Sequence, residues 1–494
     1  MKLPLNILKK IHFIGIGGIG MSGIAEILNN LGYKIQGSDQ SKNGNTLRLT
    51  TLGITVFDHH IEDNIGSADV VVISSAVQES NIELIEARRR GLPVIKRAEM
   101  LAEIMRFRFS VAVAGTHGKT TTTSMCAAVL DAGNFDPTVI NGGIINSYNT
   151  NARLGKGDWI VVESDESDGT FTKLPATIGI ITNIDPEHIE HYGNFDALKD
   201  AFYTFIENLP FYGLGILCID HPEVRALSKR IKNRRLTTYG FSDIAEIRAY
   251  NLRYKMGGTY FDVDIAQKNK KHITDTNKQI TALPKRYKDL FLPMVGDYNV
   301  LNFLSTIAVA EELAINEDGI RKALSDFKGV KRRFTHIDTV KGVKIIDDYA
   351  HHPTEIQMVL KAAKQSTKGR VLAVMQPHRY TRLRDLFDDF STCFKNADQI
   401  ILAPVYEAGE APITGISSNT LAEKIKQNQK SVITVTDPNT IPSILAGTMK
   451  ADDTIIYLGA GNITQWAADL PKKLAELEAN IGLNNLPVAI TTLR

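Results

Sequence analysis

Residues 109–130 read Phe-Ser-Val-Ala-Val-Ala-Gly-Thr-His-Gly-Lys-Thr-Thr-Thr-Thr-Ser-Met-Cys-Ala-Ala-Val-Leu, and this stretch decides how the chain folds. Its opening, with Val111 and Val113, is a short β-branched apolar run that suits a buried parallel strand. Gly115 and Gly118 break the run, Lys119 and Thr120 follow at once, and Met125, Ala128 and Val129 then recur at helical spacing. Strand, glycine turn, Lys-Thr and helix together make a phosphate cradle. Backbone N–H groups at the helix N-terminus point at an anion, and the helix dipole adds to the attraction. In such a cradle Lys119 bridges the β- and γ-phosphates of a nucleotide and the Thr120 hydroxyl holds Mg²⁺. The general P-loop pattern has a glycine where this chain has Val113, so the loop Gly115-Thr116-His117-Gly118-Lys119-Thr120 is a shortened form.

A chain of 494 residues is too long for one core and suggests about three domains. Its 57 basic and 55 acidic residues leave a formal charge of +2, so no bulk attraction to nucleic acid or to an anionic membrane is implied. Cys126, Cys218 and Cys393 stand singly, without disulfide or metal spacing, as in a reducing cytosol. Lys9 and Lys10 precede an apolar run, but His12, a glycine cluster and Glu26 interrupt it and no Ala-x-Ala site follows. With no apolar stretch long enough to span a bilayer, a soluble cytoplasmic protein is expected.

Outward from the cradle, residues 1–108 read as a first domain. A strand at residues 12–16 leads into Gly15-x-Gly17-x-x-Gly20 and a helix carrying Met21, Ala25, Ile27 and Leu28. Residues 33–36 form a second strand ending at Gly37, Ser38 and Asp39, about 20 residues beyond the glycine turn, where a dinucleotide fold puts its ribose-binding acid. Strands at residues 52–57, 70–74 and 93–95, with a helix at 81–90, complete a doubly wound parallel sheet. The glycine turn encodes close backbone approach to a pyrophosphate, which NAD and a UDP-sugar both carry. Ser74 and Ser75 close a strand at the carboxyl edge, where open α/β sheets bind ligands.

Residues 109–327 read as the central domain. Residues 159–163 form an apolar strand ending in Glu163, placed to complete a Mg²⁺ site beside the cradle. The strand at 177–183 opens into Asp185, Glu187, His188, Glu190 and His191; chemistry alone leaves His188 open between a structural and a ligand role, with imidazole better suited to Mn²⁺ than Mg²⁺. Residues 211–290 read as alternating short strands and polar turns, with a lysine-rich solvated loop at 268–271. Asn299 and Asn302 share a helix face, where amides suit an adenine edge or a helix cap. In the third domain, 328–494, strands at 343–346, 370–375, 399–403, 431–435 and 454–458 build a second Rossmann-like sheet, with a helix from Ile356. Polar clusters follow two of these strands: Asp347 to Glu355, and Gln376 to Arg382. Arg379 and Arg382 can clamp a carboxylate, with at least one of them expected to pair instead with Asp385 or Asp388 on the same helix.

Taken together, these motifs resemble the Mur ligase family over essentially the whole chain. They are Gly-Ile-Gly-Gly-Ile-Gly-Met-Ser-Gly-Ile-Ala (15–25), Gly-Thr-His-Gly-Lys-Thr-Thr-Thr-Thr (115–123), Glu-Ser-Asp-Glu-Ser-Asp (163–168), Thr-Asn-Ile-Asp-Pro-Glu-His (182–188), Asp-Asp-Tyr-Ala-His-His-Pro-Thr-Glu (347–355) and Gln-Pro-His-Arg-Tyr-Thr-Arg (376–382). The shortened phosphate loop is that family's normal form. The resemblance implies an α/β fold of three domains: a Rossmann-like UDP-sugar domain, a central P-loop ATPase-type domain, and a Rossmann-like domain that receives the amino acid and closes over the others. It implies an ATP-dependent ligase that joins L-alanine to UDP-N-acetylmuramate through an acyl phosphate, in peptidoglycan precursor synthesis. A monomer or weak homodimer needing Mg²⁺ or Mn²⁺ and no nucleic acid or membrane is expected.

By the same resemblance, Gly15, Gly17, Gly18, Gly20, Met21, Ser22, Ser38, Asp39, Ser74 and Ser75 bind the UDP-sugar. Gly115, Thr116, His117, Gly118, Lys119, Thr120 and Thr121 cradle ATP, with Asn299 and Asn302 on the nucleotide, Arg333 on its phosphates and Asp348 on its ribose. Thr120, Glu163 and His188 surround the metal, while Tyr349, His351, His378, Arg379 and Arg382 line the alanine and intermediate site. Lys119, His188, Arg333, His351, Arg379 and Arg382 are the residues expected to act in catalysis. Several relatives carry a carbamylated lysine near a second metal; Lys199 lies in that neighbourhood of the sequence without being assigned to it. A sister ligase adding another amino acid or a recycled peptide stays open, as do an NAD-dependent oxidoreductase fused to an NTPase and a nucleotide-sensing scaffold.

Overall fold

Three sheets carry the chain in the computed structural model, which describes residues 9–74, 76–106, 108–255, 257–266, 284–428 and 431–484. Ser75 and the lysine-rich run at 268–271 lie outside the described residues. The first sheet holds β1 (Lys10–Ile14), β2 (Lys34–Ser38), β3 (Thr55–Phe57), β4 (Val70–Ile73) and β5 (Val94–Lys96) in the order β3-β2-β1-β4-β5, every pairing parallel. The order reverses beside β1, so the cleft opens at the carboxyl end of that strand, over the glycine turn. The strand expected from residue 52 starts only at Thr55, because Leu52 still caps the helix Gly44–Thr51.

The central sheet has ten strands: β6 (Phe109–Ala114), β7 (Thr138–Ile145), β8 (Thr150–Arg153), β9 (Trp159–Glu163), β10 (Ile178–Ile181), β11 (Leu214–Cys218), β12 (Arg235–Gly240), β13 (Ile247–Lys255), β14 (Gly258–Ile265) and β15 (Lys285–Leu292). Strand β6 lies between β10 and β9, parallel to both, which sets the exits of all three strands at one edge. Residues 211–290 differ from the expected short strands and turns. They contain the helix Pro222–Arg230, the nine-residue β13, and β14 and β15 paired antiparallel. One buried core runs through the first two sheets, from Met21, Ile24 and Leu28 to Ile140, Ala152 and Ile160, and the two sheets form one compact unit.

The third sheet forms a second unit: β16 (Thr335–Val340), β17 (Val343–Asp348), β18 (Val371–Met375), β19 (Gln399–Leu402), β20 (Val432–Thr434) and β21 (Thr454–Leu458), in the order β16-β17-β21-β18-β19-β20. Four neighbouring pairs are parallel, whereas β16 runs antiparallel to β17 at the edge. That edge strand has no place in the sequence reading, because its polar, half-exposed residues carry no apolar signal. The following helix begins at Pro353, three residues before the expected Ile356, with proline at its first position and His352 as its cap. Among the described residues no helix is long and apolar enough to cross a membrane, and the three cysteines are buried and unpaired.

Candidate active site

Strand β6 ends in a loop that only glycine can build. Gly115 has φ +127°, and a Cβ there would lie 2.1 Å from Thr182 Oγ1; Gly118 has φ +84°, and its Cβ would lie 2.7 Å from Asn302 Oδ1. The residues after β10 brace this loop: Thr182 Oγ1 donates to His117 O at 2.7 Å, His117 N to Asn183 Oδ1 at 2.7 Å, and Asp185 N to Thr116 Oγ1 at 2.8 Å. The helix Lys119–Ala132 then presents its N-terminus with Thr120 and Thr121 buried in the first turn. Asn299 and Asn302 are both buried at the start of the helix Asp297–Glu312, and Asn302 packs on the phosphate loop.

The Lys119 ammonium donates to Gly115 O at 2.6 Å and Thr116 O at 3.0 Å, and it lies 2.9 Å and 2.7 Å from the two oxygens of Glu166. Burial alone would lower the lysine; Glu166, Asp165 and Glu163 outweigh it and hold the proton more tightly than usual. Burial pushes the Glu166 carboxyl up while the ammonium pulls it back, and with the lysine charged the ion pair is the form this geometry supports. Glu166 is a residue the sequence reading passed over.

Glu163 Oε2 accepts from Gly142 N at 2.7 Å, and the adjacent Gly143 lies against Thr120, so Thr120 and Glu163 share the strand β7 as a roof. His188 groups with Glu166 and Glu187: one ligand atom from each lies within 4.8 Å of the others. His188 Nε2 is 4.0 Å from Glu166 and 3.9 Å from Glu187, too far for hydrogen bonds and suited to an ion between them. Two carboxylates and an imidazole on the phosphate-loop edge fit Mg²⁺ or Mn²⁺. His188 holds a left-handed backbone, φ +57°, strain of a kind found at binding sites. Asp185 sits between His117 Nε2 and His221 Nε2, each at 3.3 Å. Burial raises its carboxyl, but the two imidazoles more than offset this and hold it well below the usual range. Lys199 pairs with Asp196 at 2.7 Å and Glu223 at 3.5 Å.

In the first sheet a cleft of about 710 Å³ opens on Gly15, Gly18, Asp39 and Ser74, joined by His60 and Gln78. Asp39 uses both oxygens to hold the turn, accepting from Gly17 N at 2.8 Å and Ser41 N at 2.9 Å. Met21 and Ser22 are buried beneath the turn, with Ser22 Oγ bonded to Ile19 O at 2.9 Å. Ser38 also points inward, donating to Glu83 at 2.5 Å and meeting His60 Nδ1 at 2.9 Å. None of these three residues is among those that line the cleft. His60 was missed, though it follows the strand β3 as other cleft residues follow theirs.

The third sheet carries its own cluster. Asp348 ends β17 fully buried, with Oδ2 accepting from Phe334 N at 2.7 Å and Oδ1 from Ala350 N at 2.8 Å; burial pushes its carboxyl up to about 6 against the pull of Arg333. Tyr349 lies under two guanidinium groups, Arg332 at 4.8 Å and Arg333 at 5.2 Å from its ring centre. The rings of Tyr349, His351, His378 and Tyr406 follow one another at 5.1, 5.8 and 5.4 Å. Burial, with His351, Arg382 and Arg379 nearby, lowers His378 from 6.5 to about 4, so its ring is neutral at pH 7. Arg382 Nη1 donates to His378 Nδ1 at 3.5 Å. Arg379 caps the helix Tyr380–Asp385 with φ +70°, a further strained position. Neither arginine pairs with Asp385 or Asp388: Arg379 stands outside the helix as its cap, Arg384 takes Asp385 at 2.7 Å, and Asp388, on the next helix, faces Lys424 at 3.5 Å.

Family models match in order along the chain: "Mur ligase family, catalytic domain" over residues 10–109, "Mur ligase middle domain" over 113–310 and "Mur ligase, glutamate ligase domain" over 332–461. The chain belongs to the Mur ligase family. Among Mur ligases, the UDP-N-acetylmuramate–L-alanine ligases of Brucella anthropi and Brucella ovis are 56% identical to it over 477 and 480 residues, 96% of this chain and 99% of each relative. The solved UDP-N-acetylmuramate-alanine ligase MurC of Thermotoga maritima superposes with a TM-score of 0.77 at 28% identity, covering 96% of this chain and 99% of that one. A murein peptide ligase from Psychrobacter arcticus shares the Mur ligase fold at 23% identity and a TM-score of 0.66, over 94% and 98% of the two chains.

Proposed function

We propose that this Mur ligase is a cytoplasmic enzyme that uses ATP to join L-alanine to UDP-N-acetylmuramate, a step of peptidoglycan synthesis. The observation that carries this reading is the likeness to the Brucella ligases at 56% identity over nearly the full length of both chains. The site chemistry agrees. A carboxylate that attacks the γ-phosphoryl group of ATP forms a C–O–P bond while the bond to ADP breaks, and the charge on the transferring oxygens must be neutralised. Lys119 and the N–H groups of residues 115–121 supply that charge, with Asn299 and Asn302 holding the nucleotide; Asp348, expected on its ribose, is buried and gives both carboxylate oxygens to the backbone N–H groups of Phe334 and Ala350. A divalent cation bound by Glu166, Glu187 and His188, or by Thr120 and Glu163, would add further positive charge at the phosphates.

The second half-reaction needs a free amine. L-Alanine arrives as an ammonium ion and loses its proton to solvent before it attacks, since His378, lowered to about 4, is too weak a base to take it, while Arg379 and Arg382 hold its carboxylate. Tyr349 and His351 wall the site. The amine attacks the acyl carbon, and inorganic phosphate leaves. The test is phosphate release measured across a panel of amino acids. Release that needs both UDP-N-acetylmuramate and L-alanine is expected; equal release when either is omitted would sink the assignment, and preference for a peptide would make it a sister ligase.

A further inference from the structure

Tyr406 ends the run of rings in the third sheet's cluster, on a loop without a motif of its own. That loop, residues 403–417, joins β19 to the helix Ser418–Gln427. Two backbone hydrogen bonds set it beside the motif at 376–382: Tyr406 N donates to Pro377 O at 2.8 Å, and Arg379 N to Tyr406 O at 2.9 Å, a bridge that pairs Tyr406 with His378. Further along, Glu410 accepts from Thr381 N at 3.0 Å and from Thr381 Oγ1 at 2.6 Å, which ties the loop to the helix that carries Arg382. The ring is held as closely as the backbone. It stacks on His378 with 13° between the planes, and a Cβ on Gly461 would lie 2.7 Å from its Cγ. Glycine at 461, after β21, therefore leaves the ring its place. Tyr406 is nevertheless 37% exposed, and its hydroxyl has no hydrogen-bond partner among the described residues. A ring pinned on one side and open on the other is a wall that does not yield. Refusal of a larger side chain needs such a wall, because extra methylenes are excluded only where the neighbours cannot shift. Arg382 Nη1 donates to His378 Nδ1 at 3.5 Å, so an amino acid whose carboxylate rests on that guanidinium has its side chain beside the His378–Tyr406 stack.

We infer that Tyr406 is a specificity-determining residue, whose ring walls the amino-acid site and limits the accepted side chain to about the size of a methyl group. This rests on the proposed ligase reading. Phosphate release by the full chain, with ATP and UDP-N-acetylmuramate saturating, tests it with L-alanine, L-valine and L-leucine in turn. The wild type is expected to prefer L-alanine to either larger amino acid by about 100-fold in kcat/KM. Tyr406→Ala should cut that preference by about tenfold or more, through a rise in kcat/KM for L-valine and L-leucine. Tyr406→Phe should keep the preference within about threefold, since the hydroxyl has no partner to lose. An unchanged preference in Tyr406→Ala, or an equal loss of kcat/KM for all three amino acids, overturns the inference and leaves a ring that only props His378. A preference lost equally in Tyr406→Phe, or a wild type that uses L-valine as well as L-alanine, overturns it too. Should Tyr406→Ala fail to keep a wild-type unfolding midpoint, Tyr406→Leu, which keeps a side chain against Gly461, decides by the same criterion. A wild type that releases no phosphate with any of the three overturns the ligase reading and this inference with it; a wild type that works with L-alanine while the variants select as it does overturns the inference alone.

Discussion

The Lys119–Glu166 pair gives the sharpest prediction, because both groups are nearly withdrawn from water, at 14% and 2% exposure. Contacts of 2.9 and 2.7 Å average about 2.8 Å, which at an effective dielectric constant of about 20 is a gross attraction of about 6 kcal/mol. Desolvating two ions consumes much of this, and breaking one side of such a pair costs about 3–5 kcal/mol. Glu166→Gln keeps a hydrogen-bond acceptor for the lysine and should cost about 2–3 kcal/mol; Lys119→Met strands a carboxylate and should cost about 3–5 kcal/mol. In the double variant neither charge is stranded, so its loss should match the milder single change, a coupling of about 3–5 kcal/mol. Urea unfolding followed by circular dichroism and tryptophan fluorescence measures all four proteins. In parallel, Lys119→Met should lower ATP-dependent phosphate release by several orders of magnitude while UDP-sugar binding persists. Losses that add to within about 0.5 kcal/mol would refute the pair as a coupled unit.

Asp185→Asn removes the carboxylate that both His117 and His221 contact at 3.3 Å, so the phosphate loop should loosen and KM for ATP rise about tenfold with UDP-sugar affinity unchanged. A fall in kcat with constant KM would show that the loop does not depend on it. Gly115→Ala meets both a φ of +127° and an oxygen 2.1 Å from the new carbon, and should yield little folded protein; a wild-type unfolding midpoint would contradict the loop geometry. His378 is lowered from 6.5 to about 4 on folding, so between those values the unfolded chain binds the extra proton and stability falls as pH falls. Relative to His378→Gln, the wild type should lose stability from about pH 6.5 down to about pH 4 and no further; parallel unfolding midpoints across that range would rule this out.

What the chain makes legible is what is decided locally. The phosphate loop and the glycine turn of the first sheet need residues that tolerate positive φ, and the strands of a parallel sheet must be continuously apolar, so glycines, valines and isoleucines announce them. Orientation of a polar side chain is decided elsewhere. Ser38 sits where a cleft hydroxyl belongs, yet Glu83, 45 residues later, draws it under the sheet. The expected arginine pairs assumed one continuous helix, but the break at Leu386 puts Asp388 on the next one and Arg384 takes Asp385. Glu163 and Glu166 show the limit best. Glu163 has the stronger local claim, as the acid that ends an apolar strand, but its oxygen goes to the backbone of Gly142. Glu166 looks like part of a solvated loop until Gly169 N and the Tyr192 hydroxyl, 26 positions away, both bind its carbonyl and fold the turn inward. That closure puts the carboxylate on Lys119, and with it the charge balance of the phosphate site depends on a contact no spacing rule encodes.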